Sequence, residues 1–482
     1  MNSKFYITTA IDYVNDTIHI GHAFQKIAAD VLARYYRIKL GNENVFFLTG
    51  TDEYGKKAEK AAGDENLSPH EFVRKISDSD QKQQDALNIS YNRFIRTTDS
   101  DHTKVAQEIW RRVKKSGDIY LGEYTGLYCE GCEAYYKEED LVDGKCPFHQ
   151  NQEVKRITEK NYFFKWTRYK DFLIKHIKNN PNFIYPHHRA NEMLEFAKNI
   201  EDIPISRSNF TWGVSIPGET EQVIYVWFDA LTNYLTGIGF LDDKALFDKF
   251  WPADIHILGK DNLRWHSLLW PAMLKSAEIE LPKTILVNGF LTLNGQKISK
   301  SLGNVVRPTD WVKKYGADAV RYYLLRYTNI TEDSDISEDK FKKVYNADLA
   351  NGLGNLVARV ARLCETSGFK QLAGKKNFHF IEQVNDYKKA LDEFRFNEAL
   401  SLVFAKIAKL DKYINEEKPW ELLKVSANHK GRGLSAILSH AVDQIVEIAI
   451  LLEPFMPRTA KIIKDQFTKI NITSQKPLFP RI

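Results

Sequence analysis

Phe5-Tyr6-Ile7-Thr8-Thr9, continued by Ala10-Ile11-Asp12-Tyr13-Val14-Asn15-Asp16-Thr17-Ile18 and then His19-Ile20-Gly21-His22, is the stretch from which the fold can be read. Its first five residues have the aromatic and β-branched content of a buried strand. Asp12 to Thr17 is turn chemistry, rich in side chains that cap helices. Beyond it Phe24, Ile27, Ala28, Val31, Leu32 and Tyr35 recur at three- and four-residue spacing, so an amphipathic helix follows. His19, Gly21 and His22 fall in its first turn. A helix N-terminus attracts phosphate through unpaired N–H groups and its dipole, and His19 and His22, three apart, share a face beside it. Gly21 leaves room for a flat base or a ribose to approach the backbone. Read alone, the two histidines fit better as ordinary part-exposed polar residues.

Outward from this stretch, strand and helix signals alternate. Asn44-Val45-Phe46-Phe47-Leu48 reads as a second buried strand, and Gly50-Thr51-Asp52-Glu53-Tyr54-Gly55 as the loop at its carboxyl end. Residues 63–118 read as largely helical, and residues 223–230, 254–261 and 286–293 as further strands. The alternation predicts an α/β fold, a doubly wound parallel sheet with ligands at the carboxyl ends of its strands. Asp52 is placed to meet a ligand's ammonium group, although Thr51 or Asp52 could as well cap the helix containing Lys57, Ala58 and Ala61. Beyond Glu338 no strand signal survives. Segments 346–363, 384–416 and 436–452 read as long helices, so a bundle closes the chain.

The chain of 482 residues, 43% hydrophobic and 27% charged, is long enough for two or more domains with separate cores. No apolar run is read as a membrane span and no targeting segment precedes the first strand, so a cytoplasmic protein is expected. A net charge of +5 permits a polyanionic partner without demanding one. Three of the four cysteines are crowded together. Cys129-x-x-Cys132, thirteen residues, then Cys146-x-x-His149 is the spacing of a tetrahedral structural Zn²⁺ site in a reducing compartment. Four protein ligands leave no open position, so its role is folding. Cys364 lies on a helical pattern and is expected to be buried.

A second motif lies far from the first. Lys297-Ile298-Ser299-Lys300-Ser301 follows the turn Asn294-Gly295, and its two lysines can neutralise a triphosphate as pyrophosphate leaves. By itself such a loop is usually a solubilising feature. With His19-Ile20-Gly21-His22 upstream, however, the chain resembles the class I aminoacyl-tRNA synthetases, which pair H-x-G-H with K-M-S-K-S. Gly50 to Gly55, Asp202 to Gly213 and Gly259-Lys260-Asp261 narrow the resemblance to the methionyl-tRNA synthetases of bacterial and organellar type, over essentially the whole chain.

The resemblance implies a Rossmann-like catalytic domain in two halves, 1–118 and 219–288, split by a zinc-bearing connective insertion at 119–218. A K-M-S-K-S and stem-contact region at 289–345 and an α-helical anticodon-binding domain at 346–482 would follow. It implies His19, His22, Lys297 and Lys300 as catalytic, with Gly21, Gly259 and Asp261 joining them around ATP. It implies Ile11, Tyr13, Asp52, Trp227, Tyr234 and His266 around methionine, and Arg207 as steadying the active site. Without the family, Trp227 and Tyr234 would be read as core. Asn355, Arg359 and Trp420 match the residues that read the CAU anticodon; without the family they are surface polar groups and a half-buried tryptophan. Mg²⁺ would come with ATP, and tRNA(Met), ATP and L-methionine would be the partners. Residues 119–218 leave no room for an editing domain of the kind carried by relatives specific for leucine, isoleucine and valine. The chain stops soon after the bundle, without an appended dimerising module, and a monomer with no membrane partner is expected. Four positions depart from the family pattern: Ala10 for proline, Asp12 for tyrosine, Tyr54 for histidine and Ile298 for methionine.

Overall fold

The computed structural model describes residues 3–132, 134–208, 211–219, 221–298, 303–371, 384–423 and 432–482. The chain divides into two compact units: Met1–Ile18, Glu43–Asp85 and Ser90–Asn288 form one, and His19–Asn42, Ala86–Ile89 and Gly289–Ile482 the other.

In the first unit, Phe5–Thr9 is buried throughout and lies at the centre of a parallel sheet. It pairs with Val45–Asp52 on one side and Ile255–Gly259 on the other. Arg93–Arg96 extends the sheet beyond the former, and Thr284–Asn288 and Ile184–Tyr185 beyond the latter. With the short strand Asp12–Tyr13, which resumes the pairing to Val45–Asp52 after one extra residue, the sheet has seven strands among the described residues, every pairing parallel. The chain changes winding direction between Phe5–Thr9 and Ile255–Gly259, so the ligand-binding crevice of such a sheet is expected at their carboxyl ends. Gly50 is required by packing: a Cβ there would lie 1.9 Å from the carbonyl oxygen of Ile95 on the neighbouring strand.

Segment 63–118 is largely helical as expected, with one short sheet strand, Arg93–Arg96, whose four residues are too few to show a period. Two sequence expectations are corrected here. Segment 223–230 is not a strand of the main sheet: Val223–Ile224 pairs antiparallel with Ser206–Arg207, and Val226–Ala230 is helical. Segment 286–293 is two strands, Thr284–Asn288 in the first unit and Leu291–Leu293 in a small sheet of the second. The insertion is built on the antiparallel pair Ile119–Cys129 and Lys155–Phe164, with Ala134–Tyr136 on its edge.

The second unit joins the helix Ile20–Leu40 to the C-terminal helices through a buried ion pair. Arg321, fully buried, meets Asp30 at 2.7 Å and donates to the carbonyls of Phe455 and Pro454 at 2.7 and 2.9 Å. Those extra bonds satisfy a guanidinium that would otherwise be costly to bury. The expected helix 384–416 is two, Asn385–Asp392 and Phe396–Glu417, broken at Phe394, whose φ is 59°. Segment 346–363 begins with a π-helical stretch, Tyr345–Gly354, before the α-helix Asn355–Ser367. Gly433–Leu452 does reach the length and mean hydropathy, 1.5, of a membrane-crossing helix, against the sequence reading. Its Leu438, Ala441, Val442, Ile445 and Ala449 are buried in the bundle.

Candidate active site

The loop after Val45–Asp52 is held from several sides. Tyr13 pairs with Asp52, and Val14 N–H donates to the Asp52 carbonyl at 3.2 Å, so Ile11, Tyr13 and Asp52 come together at the carboxyl end of the sheet. Next to Asp52, Glu53 is buried: its N–H donates to the Thr97 hydroxyl at 2.9 Å, and its carboxylate accepts from the hydroxyls of Thr51 and Thr98. Burial pushes the Glu53 carboxyl up, against those hydrogen bonds. Trp212 Nε1 donates to the Glu53 carbonyl at 2.7 Å, and Gly55 N–H to the Trp212 carbonyl at 3.3 Å. Gly55, not Thr51 or Asp52, is the N-cap of the helix Lys56–Asp64. Asp52 is therefore not the cap of this helix.

Around this loop lies a buried polar cluster. Tyr234 and His266 share a hydrogen bond of 2.7 Å, both nearly inaccessible to solvent. His266 Nδ1 lies 3.0 Å from the Asn262 carbonyl, which can only accept. Nδ1 therefore carries the proton, and Nε2 accepts from the Tyr234 hydroxyl. Burial pushes His266 down to about 4. Burial also raises Tyr234, with the Asp52 carboxylate adding to the effect, so the two share one electrostatic environment. His256 lies beside them: its ring is 4.3 Å from that of Tyr234, its Nδ1 is 2.6 Å from the Thr8 hydroxyl, and burial holds it well below the usual histidine range. Trp227 is half-buried and stacks on Trp265 at 4.9 Å. Trp265 and His266 belong to a π-helical turn, Trp265–Leu269, a local widening often found at functional sites. Gly259 ends its strand, and Asp261 is exposed just beyond it.

Cys129, Cys132, Cys146 and His149 converge, all four ligand atoms within 4.8 Å of one another. Cys132 and Cys146 sulfurs are 3.5 Å apart, and His149 Nδ1 is 3.9, 3.2 and 3.8 Å from the sulfurs of Cys129, Cys132 and Cys146. A tetrahedral zinc with Zn–S bonds of about 2.3 Å has S···S edges of about 3.8 Å, so the residues fit a metal. The hydrogen bond from Cys132 drives Cys129 toward its thiolate, and that neighbour in turn pushes Cys132 up. Only a cation among them lets all the thiols ionise together. Gly131 is needed here, since a Cβ would lie 2.4 Å from the His149 ring. Beside the knuckle, Lys56, Lys57, Lys60 and Lys155 line an open cleft with Glu130, Gln152 and Glu153.

In the second unit His19 is the N-cap of the helix rather than part of its first turn. Its Nδ1 accepts from Gly21 N–H at 3.0 Å, while His22 Nδ1 accepts from His19 N–H at 3.2 Å. The rings stack 3.9 Å apart. Because both Nδ1 atoms accept, each neutral ring carries its proton on Nε2. Gly21 makes room for the His19 ring itself: a Cβ would lie 2.8 Å from its Cε1. Ile20 N–H donates to the Val306 carbonyl at 2.9 Å, bringing the segment after the lysine motif to this helix start. Lys297 is exposed on the hairpin partner of Leu291–Leu293, with its carbonyl bonded by Asn304. Ser299, Lys300 and Ser301 lie outside the described residues. Arg359 stacks over Trp420 at 4.8 Å and donates to Asp411 and Asn415 at 3.2 and 2.6 Å; Asn355 is exposed one turn earlier on the same helix.

A model of the family described as tRNA synthetases class I (M) matches residues 5–158 and 149–361. The methionine–tRNA ligase of Caldanaerobacter subterraneus subsp. tengcongensis is 41% identical to this chain over 98% of it and 75% of its own length. The chain belongs to the methionyl-tRNA synthetases. The methionine–tRNA ligase of Thermotoga maritima is 40% identical over 95% of this chain and 74% of its own. A solved Mycobacterium tuberculosis methionyl-tRNA synthetase in complex with methionyl-adenylate superposes with a TM-score of 0.91 at 36% identity, covering 99% of this chain and 100% of that one. Its apo form gives 0.84 at 35%, covering 99% and 98%.

For a methionyl-tRNA synthetase, three neighbours of the cluster went unread in the sequence. His256 stands in the otherwise apolar strand Ile255–Gly259, and a polar side chain in a buried strand requires a partner, here Thr8. Arg264 and Trp265 gave no such signal. Of the departures from the family pattern, Ala10 donates its N–H to the Ile257 carbonyl at 2.8 Å, a bond proline could not make. Tyr54 packs on Trp212 at 5.3 Å and is pushed up to about 12, mainly by burial.

Proposed function

We propose that the chain makes methionyl-tRNA in two steps. The carboxylate of L-methionine attacks the α-phosphorus of Mg-ATP, forming methionyl-adenylate and releasing pyrophosphate. A hydroxyl of the 3′-terminal ribose of tRNA(Met) then attacks the carbonyl carbon, and AMP leaves. The observation that carries this reading is the Tyr234–His266 hydrogen bond, dry and uncharged, within electrostatic reach of the Asp52 carboxylate. A zwitterion with a neutral, polarisable tail calls for that combination. Asp52 would hold the ammonium group, Tyr234 and His266 the thioether, and Ile11, Tyr13 and Trp227 the walls.

Neither step needs a protein nucleophile, so the catalytic work is positioning and charge neutralisation. The Nε2–H donors of His19 and His22, the backbone at Gly21, Lys297 and Lys300 would serve the phosphates, and Gly259 and Asp261 the ribose. Mg²⁺ would be held mainly by phosphate oxygens. Zn²⁺ in Cys129, Cys132, Cys146 and His149 would cross-link the insertion and supply no chemistry to either step. Asn355, Arg359 and Trp420 would read the anticodon by hydrogen bonding and stacking. The lysine-lined cleft beside the knuckle suits the phosphates of the tRNA 3′ strand. On this reading segments 1–118 and 219–288 are the catalytic halves, 119–218 the connective insertion, 289–345 the lysine-motif region and 346–482 the anticodon domain. It acts as a cytoplasmic monomer.

The test is amino-acid-dependent ATP–pyrophosphate exchange without tRNA, run with each standard amino acid. Signal with methionine alone is the expected result. Signal with another amino acid would mean Asp12 and Tyr54 have remade the pocket, and none at all would point to an RNA-binding paralog without chemistry.

A further inference from the structure

A closed circuit of contacts begins and ends on one metal-ligand residue. The Tyr136 hydroxyl donates to Cys132 Sγ at 3.0 Å. The Arg264 guanidinium lies 5.2 Å from the Tyr136 ring centroid and 4.4 Å from that of Trp265. Trp265 stacks on Trp227, their planes 15° apart, and Trp227 Nε1 returns to the Cys132 carbonyl at 3.5 Å. Arg207 braces the same hairpin separately, its guanidinium over Tyr225, Tyr135 and Tyr128 at 4.2, 5.2 and 5.6 Å.

We infer that Arg264 is a positioning residue for methionine binding: lodged against Tyr136 and Trp265, it transmits the order of the Cys129/Cys132/Cys146/His149 knuckle to Trp227. Trp227 is only half-buried, and its indole N–H bond to Cys132 is long, so that bond alone does not hold the ring. The face of Trp265 is what orients it. Trp265 meets Tyr225 only edge-on, at 6.4 Å, while its face is covered by a cation that also covers Tyr136, and a flat guanidinium stacks on two rings better than an ammonium does. The hydroxyl of Tyr136 then anchors the row to a sulfur whose own place depends on the metal cluster. Arg207 keeps the hairpin docked through Tyr128 and Tyr135, neither of which Arg264 covers, so loss of the Arg264 stack should loosen Trp227 without unfolding the insertion.

The inference deepens the methionine-activation reading and rests on it. The experiment uses metal-loaded protein, with metal content checked, and measures pyrophosphate exchange against methionine and ATP for the unmodified chain, Arg264→Met, Arg264→Lys, Tyr136→Phe and the Met/Phe double variant. Arg264→Met should raise the KM for methionine about tenfold, with kcat and the KM for ATP within about twofold. Arg264→Lys should raise it less, about threefold. Tyr136→Phe, which keeps the ring but loses the sulfur bond, should raise it about threefold, and the double variant should be no worse than Arg264→Met alone. The fluorescence change of the unmodified protein on adding methionine should shrink in Arg264→Met and shrink less in Arg264→Lys. A methionine KM unmoved in Arg264→Met, or singles that multiply in the double variant, overturns the inference. If Arg264→Met does not fold, Tyr136→Phe decides: a raised methionine KM supports the circuit and an unchanged one overturns it. Absence of exchange in the unmodified protein would instead overturn the methionine reading itself.

Discussion

Two pairs of histidines in this chain work in opposite settings. His19 and His22 stand half-buried at a helix start, ring on ring at 3.9 Å, each Nδ1 accepting from the backbone and each Nε2 therefore carrying the proton. His256 and His266 are buried, 6.4 Å apart, one bonded to the Thr8 hydroxyl and the other to that of Tyr234. The first pair offers N–H groups at the positive end of a helix, as an anion requires. The second is kept neutral in a dry wall, as an uncharged thioether requires. On the proposed reading one residue type would therefore serve charge in one unit and the exclusion of charge in the other, with the environment making the difference.

The contrast breaks if both pairs affect the same kinetic constant. Replacing His22 with alanine should lower kcat for pyrophosphate exchange by roughly 10²-fold, as expected when a preorganised donor to developing charge is lost, with the methionine KM little changed. A rise confined to the methionine KM would mean the capping pair does not serve the phosphates. His266→Ala should do the reverse. Leaving the Tyr234 hydroxyl without its acceptor costs about 1–3 kcal/mol, so the methionine KM should rise about tenfold with a smaller change in kcat. Equal losses in both constants would assign His266 to the transition state instead. The smallest expected effect is a null one. Since burial pushes His266 down to about 4, it stays neutral where exposed histidines, near 6.5, would titrate. The methionine KM should therefore be flat from about pH 8 to about pH 5.5, rising only as the pH falls toward the lowered value, where a protonated Nε2 can no longer accept from Tyr234. A break near pH 6.5 would show that the ring is wetter than the structure has it.

The two pairs also differ in how far they could be read in advance. His19-x-x-His22 is a local pattern: capping and stacking act over three residues, so the spacing carries the geometry. The Cys₃His knuckle is legible for the same reason, because two x-x pairs form two tight turns whose ligand atoms converge. Asp52 was ambiguous until Gly55 proved to be the N-cap. The strand Arg93–Arg96 and the break at Phe394 were missed, the one too short for a period and the other a single left-handed residue inside a continuous apolar pattern.

By itself, the sequence determined the α/β class, the first strand and helix and the Cys₃His set, all of which arise from interactions between near neighbours. Only the tertiary structure decided that the helix after His19 belongs with the C-terminal unit, through Asp30 and Arg321, and that Thr8, Tyr234, His256 and His266 form one cluster. It likewise decided that Cys132, Tyr136, Arg264, Trp265 and Trp227 close a circuit. These residues lie far apart along the chain, and what brings them together is the crossover of a parallel sheet and the burial of polar groups that must find partners once water is gone, neither of which leaves a period in the sequence.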